Sequence, residues 1–381
     1  MPSRLFFAFP SYFLFLMSSP ICRFGILGAA FIARKNWQAI REAGNASLVA
    51  VASRDVARAK AFIDECQAQV PHPVKPEAMG SYEALLARKD IDAVYIPLPT
   101  GLRKEWVIRA AEAGKHVLVE KPVGCTAADV EEMIAVCAKH GVQFMDGVMF
   151  MHGRRLQRLR EVVDREVGTI RHIATQFSFL SDEEFQRTNI RAHGLLEPLG
   201  CLGDLGWYCL RFTLWAMGET EPLSVTGRIH AETRQGDDVA SVPLAFSGTL
   251  SFANGANASF YCSFNAAHAQ WAIVSGDKAL LQVSDFVLPY SGMQTHFTVT
   301  KSEFVIDGCQ ADMHACRQTE SLNEPSNNAP EAQEVRLFRD FAELVLSGRR
   351  DDRWPKISLL TQRVLDACLL SAREESRVVT L

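Results

Sequence analysis

A glycine-alanine turn between a short apolar run and a helical pattern constrains this chain most. Phe24–Leu27 is an apolar run of strand length, and it ends in Gly28-Ala29-Ala30-Phe31-Ile32-Ala33, a G-x-A-x-x-A spacing. Ala30, Ala33, Trp37 and Ile40 then recur three and four residues apart, which is the period of one helix face, and Gly44 follows the last turn. A strand that passes into a helix through small residues opens a βαβ unit. Gly28 permits the tight turn, Ala30 lets backbone approach a pyrophosphate, and Ala33 lets the helix pack close to the strand. The free N–H groups and positive dipole end of the helix would then face the phosphates. Small residues at this spacing often serve packing alone; the strand before and the helix after supply the context the motif requires.

The alternation continues to about Met145. Apolar runs at Leu48–Ala52, Ala93–Ile96, Val117–Glu120 and Val142–Met145 are separated by helical stretches. One helix runs from about Arg103 to Ala113 and stops at Gly114; another opens at Thr126, with Asp129 three residues on, and stops at Gly141. This predicts a parallel, Rossmann-type dinucleotide-binding domain over residues 22–146. Beyond it the texture becomes β-branched and aromatic, with strands expected at Arg171–Leu180, Leu223–Thr233, Val242–Phe252, Asn257–Phe264, Trp271–Ser275, Ala279–Val283 and Thr295–Thr300. Ala253-Asn254-Gly255-Ala256 offers a hairpin turn between two of them. One helix is expected around Leu202–Met217, and two more at Glu331–Ser347, before Gly348, and at Ser358–Arg373; Gln310–Pro330 reads as a mobile polar loop. The expected fold class is α/β: an N-terminal Rossmann domain plus a C-terminal α+β domain, residues 147–381, with a large and mostly antiparallel sheet.

The second strand ends at Ser53-Arg54, near where NAD enzymes place a carboxylate on the ribose hydroxyls. Asp55 comes two residues late and suits the cap of the next helix. Arg54 can clasp a 2′-phosphate or stack on adenine, with Arg58 and Lys60 adding positive charge nearby. A merely solvated basic helix start is the other reading. NADP is therefore expected rather than NAD. At the end of the fourth strand stands Glu120-Lys121-Pro122, on the edge where open α/β sheets bind ligands.

Gly28-Ala29-Ala30, the Tyr95–Thr100 stretch YIPLPT, Glu120-Lys121-Pro122 and Gly203-Asp204-Leu205-Gly206-Trp207-Tyr208 together resemble the glucose–fructose oxidoreductase / inositol dehydrogenase (Gfo/Idh/MocA) family. The likeness runs from about Arg23 to the C-terminus and is nearest to plant uncharacterised oxidoreductases of that family and to its dihydrodiol and D-xylose dehydrogenases. It implies that Lys121 lies beside the substrate hydroxyl and the nicotinamide, that Glu120 and Pro99 lie on the cofactor side, and that Asp204 and Tyr208 form a substrate-side pair. Four residues apart in a helical pattern, those two would share a face. The expected reaction is hydride transfer between a nicotinamide and the carbinol or carbonyl carbon of a sugar, polyol or cyclic diol. Tyr208 is expected to take the proton, with Lys121 lowering its pKa; Lys121 as the base stays open. Arg191 either binds substrate oxygens or ties its loop down. A carbonyl or imine reductase and a catalytically silent NADP-sensing regulator are the alternatives. The resemblance also implies a homodimer.

One departure stands out. Where family members carry a histidine four residues after the proline of the third-strand motif, Pro99 is followed by Arg103. Met145-Asp146-Gly147 and His152-Gly153-Arg154 resemble the plant members' crossover, with His152 either lining the pocket or structural. No G-x-S-x-G elbow appears, and Cys309, His314 and Cys316 lack tetrahedral metal-site spacing. With 44 acidic against 40 basic residues the chain has no nucleic-acid footprint, and no apolar stretch reaches membrane-spanning length. Ten cysteines without a CxxC pair suggest a reducing, cytoplasmic setting. Leu5–Met17 after Arg4, followed by Ser18 and Ser19, has the outline of a targeting segment. Residues 1–21 are thus expected to be a leader or a dispensable extension, with a secretory or organellar address as the alternative.

Overall fold

A computed structural model of the protein describes residues 20–236, 240–326 and 328–381. The apolar stretch Leu5–Met17 lies outside the described residues. The first part alternates β1 (Cys22–Leu27), α1 (Phe31–Glu42), β2 (Ala46–Ala52), α2 (Val56–Gln69), β3 (Glu77–Met79), α3 (Tyr82–Leu86), β4 (Ala93–Ile96), α4 (Thr100–Glu112), β5 (His116–Val119), α5 (Ala127–Lys139) and β6 (Phe144–Asp146). The six strands are all parallel, in the order β3-β2-β1-β4-β5-β6. The strand order reverses between β1 and β4, so the crevice for a ligand opens outside their carboxyl ends. Thr126 caps α5 as its spacing suggests, its side chain accepting from the Asp129 N–H at 3.2 Å.

After α6 (Arg154–Val162) come β7 (Ile170–Leu180), α7 (Glu183–Thr188), α8 (Trp207–Ala216), β8 (Ser224–Thr233), β9 (Val242–Ser251), β10 (Asn257–Ser263), β11 (Asn265–Gly276), β12 (Leu280–Val283), β13 (Thr295–Asp307) and β14 (Gln310–Leu322). With the final β15 (Val379–Thr380), nine strands form one sheet in the order β14-β13-β12-β11-β7-β10-β9-β8-β15. Every pairing is antiparallel except β7 with β10. Every residue of α8 is buried, as a helix between a sheet and further helices must be.

Two expectations need correction. Residues 310–322, read as loop, are strand β14, paired with β13 along all thirteen positions. From Lys301 to Thr319 this ribbon is exposed on both faces, so no buried side imposed the apolar alternation that betrays a strand. The helix read as Leu202–Met217 begins instead with a wider π turn, Leu202–Gly206, which carries Asp204.

Two long helices close the chain, α9 (Gln333–Ser347) and α10 (Arg353–Arg373). Gly348 ends α9 with φ 64°, the left-handed cap glycine supplies. Pro355 sits in the first turn of α10, where its missing N–H has no intrahelical partner to lose, so the helix starts five residues before the expected Ser358. By chain order α9 follows the second sheet, yet it packs on the first one: Phe338 and Phe341 lie 5.7 and 5.9 Å from the Phe24 ring, and Phe338 lies 5.5 Å from Tyr95. The crossover after β6 is pinned by Asp146, whose carboxylate accepts from Arg211 at 2.6 and 3.2 Å with both side chains fully buried. No helix among the described residues is long and apolar enough to cross a membrane.

Candidate active site

The carboxyl ends of β1, β4, β5 and β6 face the segment that leads into α8, and a cavity of about 520 Å³ lies between them. Ala30, Pro99, Glu120 and Lys121 line it from the first sheet; Arg191, Asp204 and Tyr208 line it from the other side. Seven of the residues expected from the sequence thus meet in one space. Gly28, Ala33, Ser53 and Arg54 do not line it. Gly28 makes the turn behind Ala30, with φ 114°, and a Cβ there would stand 2.9 Å from Leu98. Ala33 is fully buried on the inner face of α1, and Ser53 is buried just after β2.

Asp204 organises the charges. Its Oδ1 accepts from Lys121 Nζ at 2.7 Å, its backbone carbonyl accepts from the same Nζ at 2.8 Å, and its Oδ2 stands 3.1 Å from Arg191 Nε. Burial would raise the Asp204 carboxyl, but Arg191 and Lys121 bring it well below the ordinary carboxylate range. Asp204 is therefore an anion that holds two cations, not a proton donor. An ammonium has three N–H donors, and two of those on Lys121 are committed to Asp204; one is left for the cavity.

Tyr208 departs from expectation. Lys121 Nζ lies over its ring, 4.7 Å from the centroid, rather than beside its oxygen. Burial, then the Glu120 and Asp204 carboxylates, pushes the phenol well above its ordinary value, where the sequence reading had Lys121 lower it. The lysine charge is absorbed by Asp204 and the ring face. Tyr208 is thus a neutral hydroxyl over the physiological range.

The remaining lining cations are also matched: Lys35 lies 2.5 Å from Glu334, and Arg103 lies 4.0 Å from Glu197. Arg103 is buried, and it donates to the Leu98 carbonyl at 2.7 Å and to the Pro122 carbonyl. Where the family histidine was expected, this arginine ties the end of β4 to the Glu120-Lys121-Pro122 turn.

Two lining residues, Asn36 and Glu197, and the buried Tyr95 behind the wall are not identified by the sequence pattern. Tyr95 donates to Glu120 Oε1 at 2.6 Å, and Asn36 donates to the Tyr95 oxygen at 2.6 Å, so Glu120 is held from behind by β4 and α1. Glu197 caps α4 from the other side of the cavity, accepting the Thr100 N–H at 3.1 Å. The unusual Gly101 in the first turn of a helix was the one available hint of that contact. His152 does not reach the cavity; it bonds Asp340 at 2.7 Å and stacks on Trp354. Cys309 lies at the turn of the β13–β14 ribbon, with His314 and Cys316 on β14.

Residues 22–148 match the family model described as "oxidoreductase family, NAD-binding Rossmann fold", and residues 156–282 match the GFO/IDH/MocA C-terminal domain. The NADP-dependent D-xylose 1-dehydrogenase 2 of Haloferax volcanii is 35% identical over 65% of this chain and 71% of its own length. Mouse trans-1,2-dihydrobenzene-1,2-diol dehydrogenase is 33% identical over 70% and 76%. Among solved structures, a 3-ketoreductase from Actinomadura kijaniata in complex with NADP and TDP-benzene superposes with a TM-score of 0.74, at 27% identity, over 92% of this chain and 98% of that one.

Proposed function

The chain belongs to the GFO/IDH/MocA oxidoreductase family, and on that premise we propose that it is an NADP-dependent enzyme acting on a neutral sugar, polyol or cyclic diol. The observation that carries this reading is the shared cavity that Ala30, at the start of α1, lines together with Lys121 and Tyr208. The D-xylose 1-dehydrogenase and the trans-1,2-dihydrobenzene-1,2-diol dehydrogenase among the relatives support the substrate class. So does the charge balance, because Lys35, Arg103, Lys121 and Arg191 each have a carboxylate within 4.0 Å. An anionic substrate would find no unmatched cation among them.

The chain's own residues fit the cofactor. Ala30 precedes α1 without a side-chain cap, no acidic residue stands in the first turn, and the helix N-terminus is left for a pyrophosphate. Arg54 is exposed at the end of β2, with no hydrogen bond or ion pair among the described residues, next to a serine where a carboxylate would repel a 2′-phosphate. Its charge and that of Arg58 reach Tyr82, whose hydroxyl is 3.9 Å from a Cβ placed at Gly28. When bound, NADP supplies or accepts the hydride. Glu120, fixed by Tyr95 and Asn36, shapes the cofactor wall. The free N–H of Lys121 binds the reacting oxygen, and the Tyr208 hydroxyl exchanges a proton with it.

A panel of aldoses, diols and their carbonyl counterparts with both nicotinamides, read at the nicotinamide absorbance, tests the proposal. Binding of NADPH without turnover of any member would replace it with a silent sensor. Arg54→Asp should lower the NADP-over-NAD ratio of kcat/KM by about 10- to 100-fold, the worth of a charge-assisted phosphate contact. An unchanged ratio removes the 2′-phosphate assignment. By family analogy we also propose a homodimer through the uncovered face of the nine-stranded sheet; a monomer in sedimentation at micromolar concentration refutes it.

A further inference from the structure

We propose that Glu197 is a positioning residue that clasps the substrate-side loop to the cofactor domain and so holds Arg191 in place. This rests on the reading above that the cavity takes the substrate. Helix α4 begins directly after Pro97-Leu98-Pro99, and Pro99 at its N-cap makes no side-chain cap bond. The first turn of a helix leaves N–H groups without partners. The loop between α7 and α8 supplies two of them across the cavity. Glu197 accepts the Thr100 N–H at 3.1 Å and the Thr100 hydroxyl at 2.5 Å, and the Leu196 carbonyl accepts the Gly101 N–H at 3.0 Å. The carboxylate also sits on the positive end of the helix dipole and near Arg103.

The fit is close. A Cβ at Gly101 would stand 2.3 Å from the Leu195 carbonyl oxygen, so any side chain there lifts the loop away. Between Glu197 and Arg191 the backbone is a chain of turns, with Glu197 N–H on the His193 carbonyl at 2.8 Å and His193 N–H on the Ile190 carbonyl at 3.0 Å. A displacement at Glu197 is therefore transmitted to Arg191, which meets Asp204, which in turn holds Lys121. Glu197 touches none of the reacting atoms in this scheme. It acts through Arg191.

Glu197→Ala should raise KM for the substrate at least about tenfold while the NADPH dissociation constant stays within about threefold, since a hydrogen bond to a charged group is worth about 1.5–3 kcal/mol and each 1.4 kcal/mol is tenfold. Glu197→Gln should bring KM back to within about threefold of the parent, because the amide oxygen can accept the Thr100 N–H and its NH₂ can donate to the hydroxyl. A substrate KM unchanged in Glu197→Ala overturns the proposal, and so does a KM that rises only in step with the NADPH constant. Hydrogen exchange at Thr100, Gly101 and residues 190–197 reads the clasp without any turnover. Faster exchange there in Glu197→Ala supports it even if no substrate is ever found, and unchanged exchange overturns it. Failure of the clasp and failure of the proposed activity are thereby separate results.

Discussion

Lys121→Ala is expected to fold and to bind NADPH within a few-fold of the parent, yet to lose turnover by about 10²- to 10⁴-fold, the usual range for a positioned proton-handling group. The side chain is 11% exposed and engages Asp204 twice, so its position does not wander. The one donor left over is directed by the two that are used. Without it the reacting oxygen loses its nearest positive partner at a site where Lys121 and Asp204 are largely buried, and there such a contact weighs more than in solvent. Loss of a charge beside buried Asp204 could instead act by loosening the fold, so the measurement pairs steady-state kinetics with a thermal melt and an NADPH fluorescence titration. A variant that melts normally, binds NADPH and keeps more than a tenth of its kcat removes Lys121 from the chemistry.

Tyr208→Phe carries the second large effect, and pH reveals its form. Burial and two neighbouring carboxylates raise the phenol, so the hydroxyl keeps its proton at neutral pH. A raised pKa favours the protonated form, which is the proton donor. Reduction of a carbonyl, which needs that form, should be near its maximum at neutral pH and fall only in the alkaline range. Oxidation of the alcohol, which needs the phenolate, should rise with pH across the same range. Tyr208→Phe should lower both by about 10²- to 10⁴-fold and flatten both profiles. Oxidation that is already independent of pH in the parent enzyme would assign the proton to another group.

The cofactor half of the site was legible because buried parallel strands read as continuous apolar runs, and ligands gather at their carboxyl ends. Once β1, β4 and β5 are located, Gly28, Ala30 and Lys121 stand at that edge by position, whereas the cofactor-side role of Glu120 needs the resemblance. Asp204 and Tyr208 needed the resemblance, since a helix with a carboxylate and a phenol four apart has many uses. The electrostatics were not legible at all. Whether Lys121 spends its charge on Tyr208 or on Asp204 depends on a fraction of an ångström that only the packed structure provides. Glu197 was hidden for another reason: its partner Thr100 is 97 residues away, and no periodicity links a loop carboxylate to a distant helix start. Arg103 drew attention as a departure, but its carbonyl partners Leu98 and Pro122 could not be read from residue types, because every residue has a carbonyl.

The return of α9 to the first sheet bears on how the protein is made. Phe24 and Tyr95 lie near the beginning of the chain, while Phe338 and Phe341, which cover them, lie near its end. Domains tend to fold as they leave the ribosome, N-terminal first. Here the nucleotide-binding half stays with an uncovered apolar face through most of translation, while the entire nine-stranded sheet except its last short strand is still emerging. A nascent chain in that state is a natural client for chaperones, and a premature stop before α9 would leave an incomplete first domain rather than a functional cofactor-binding fragment.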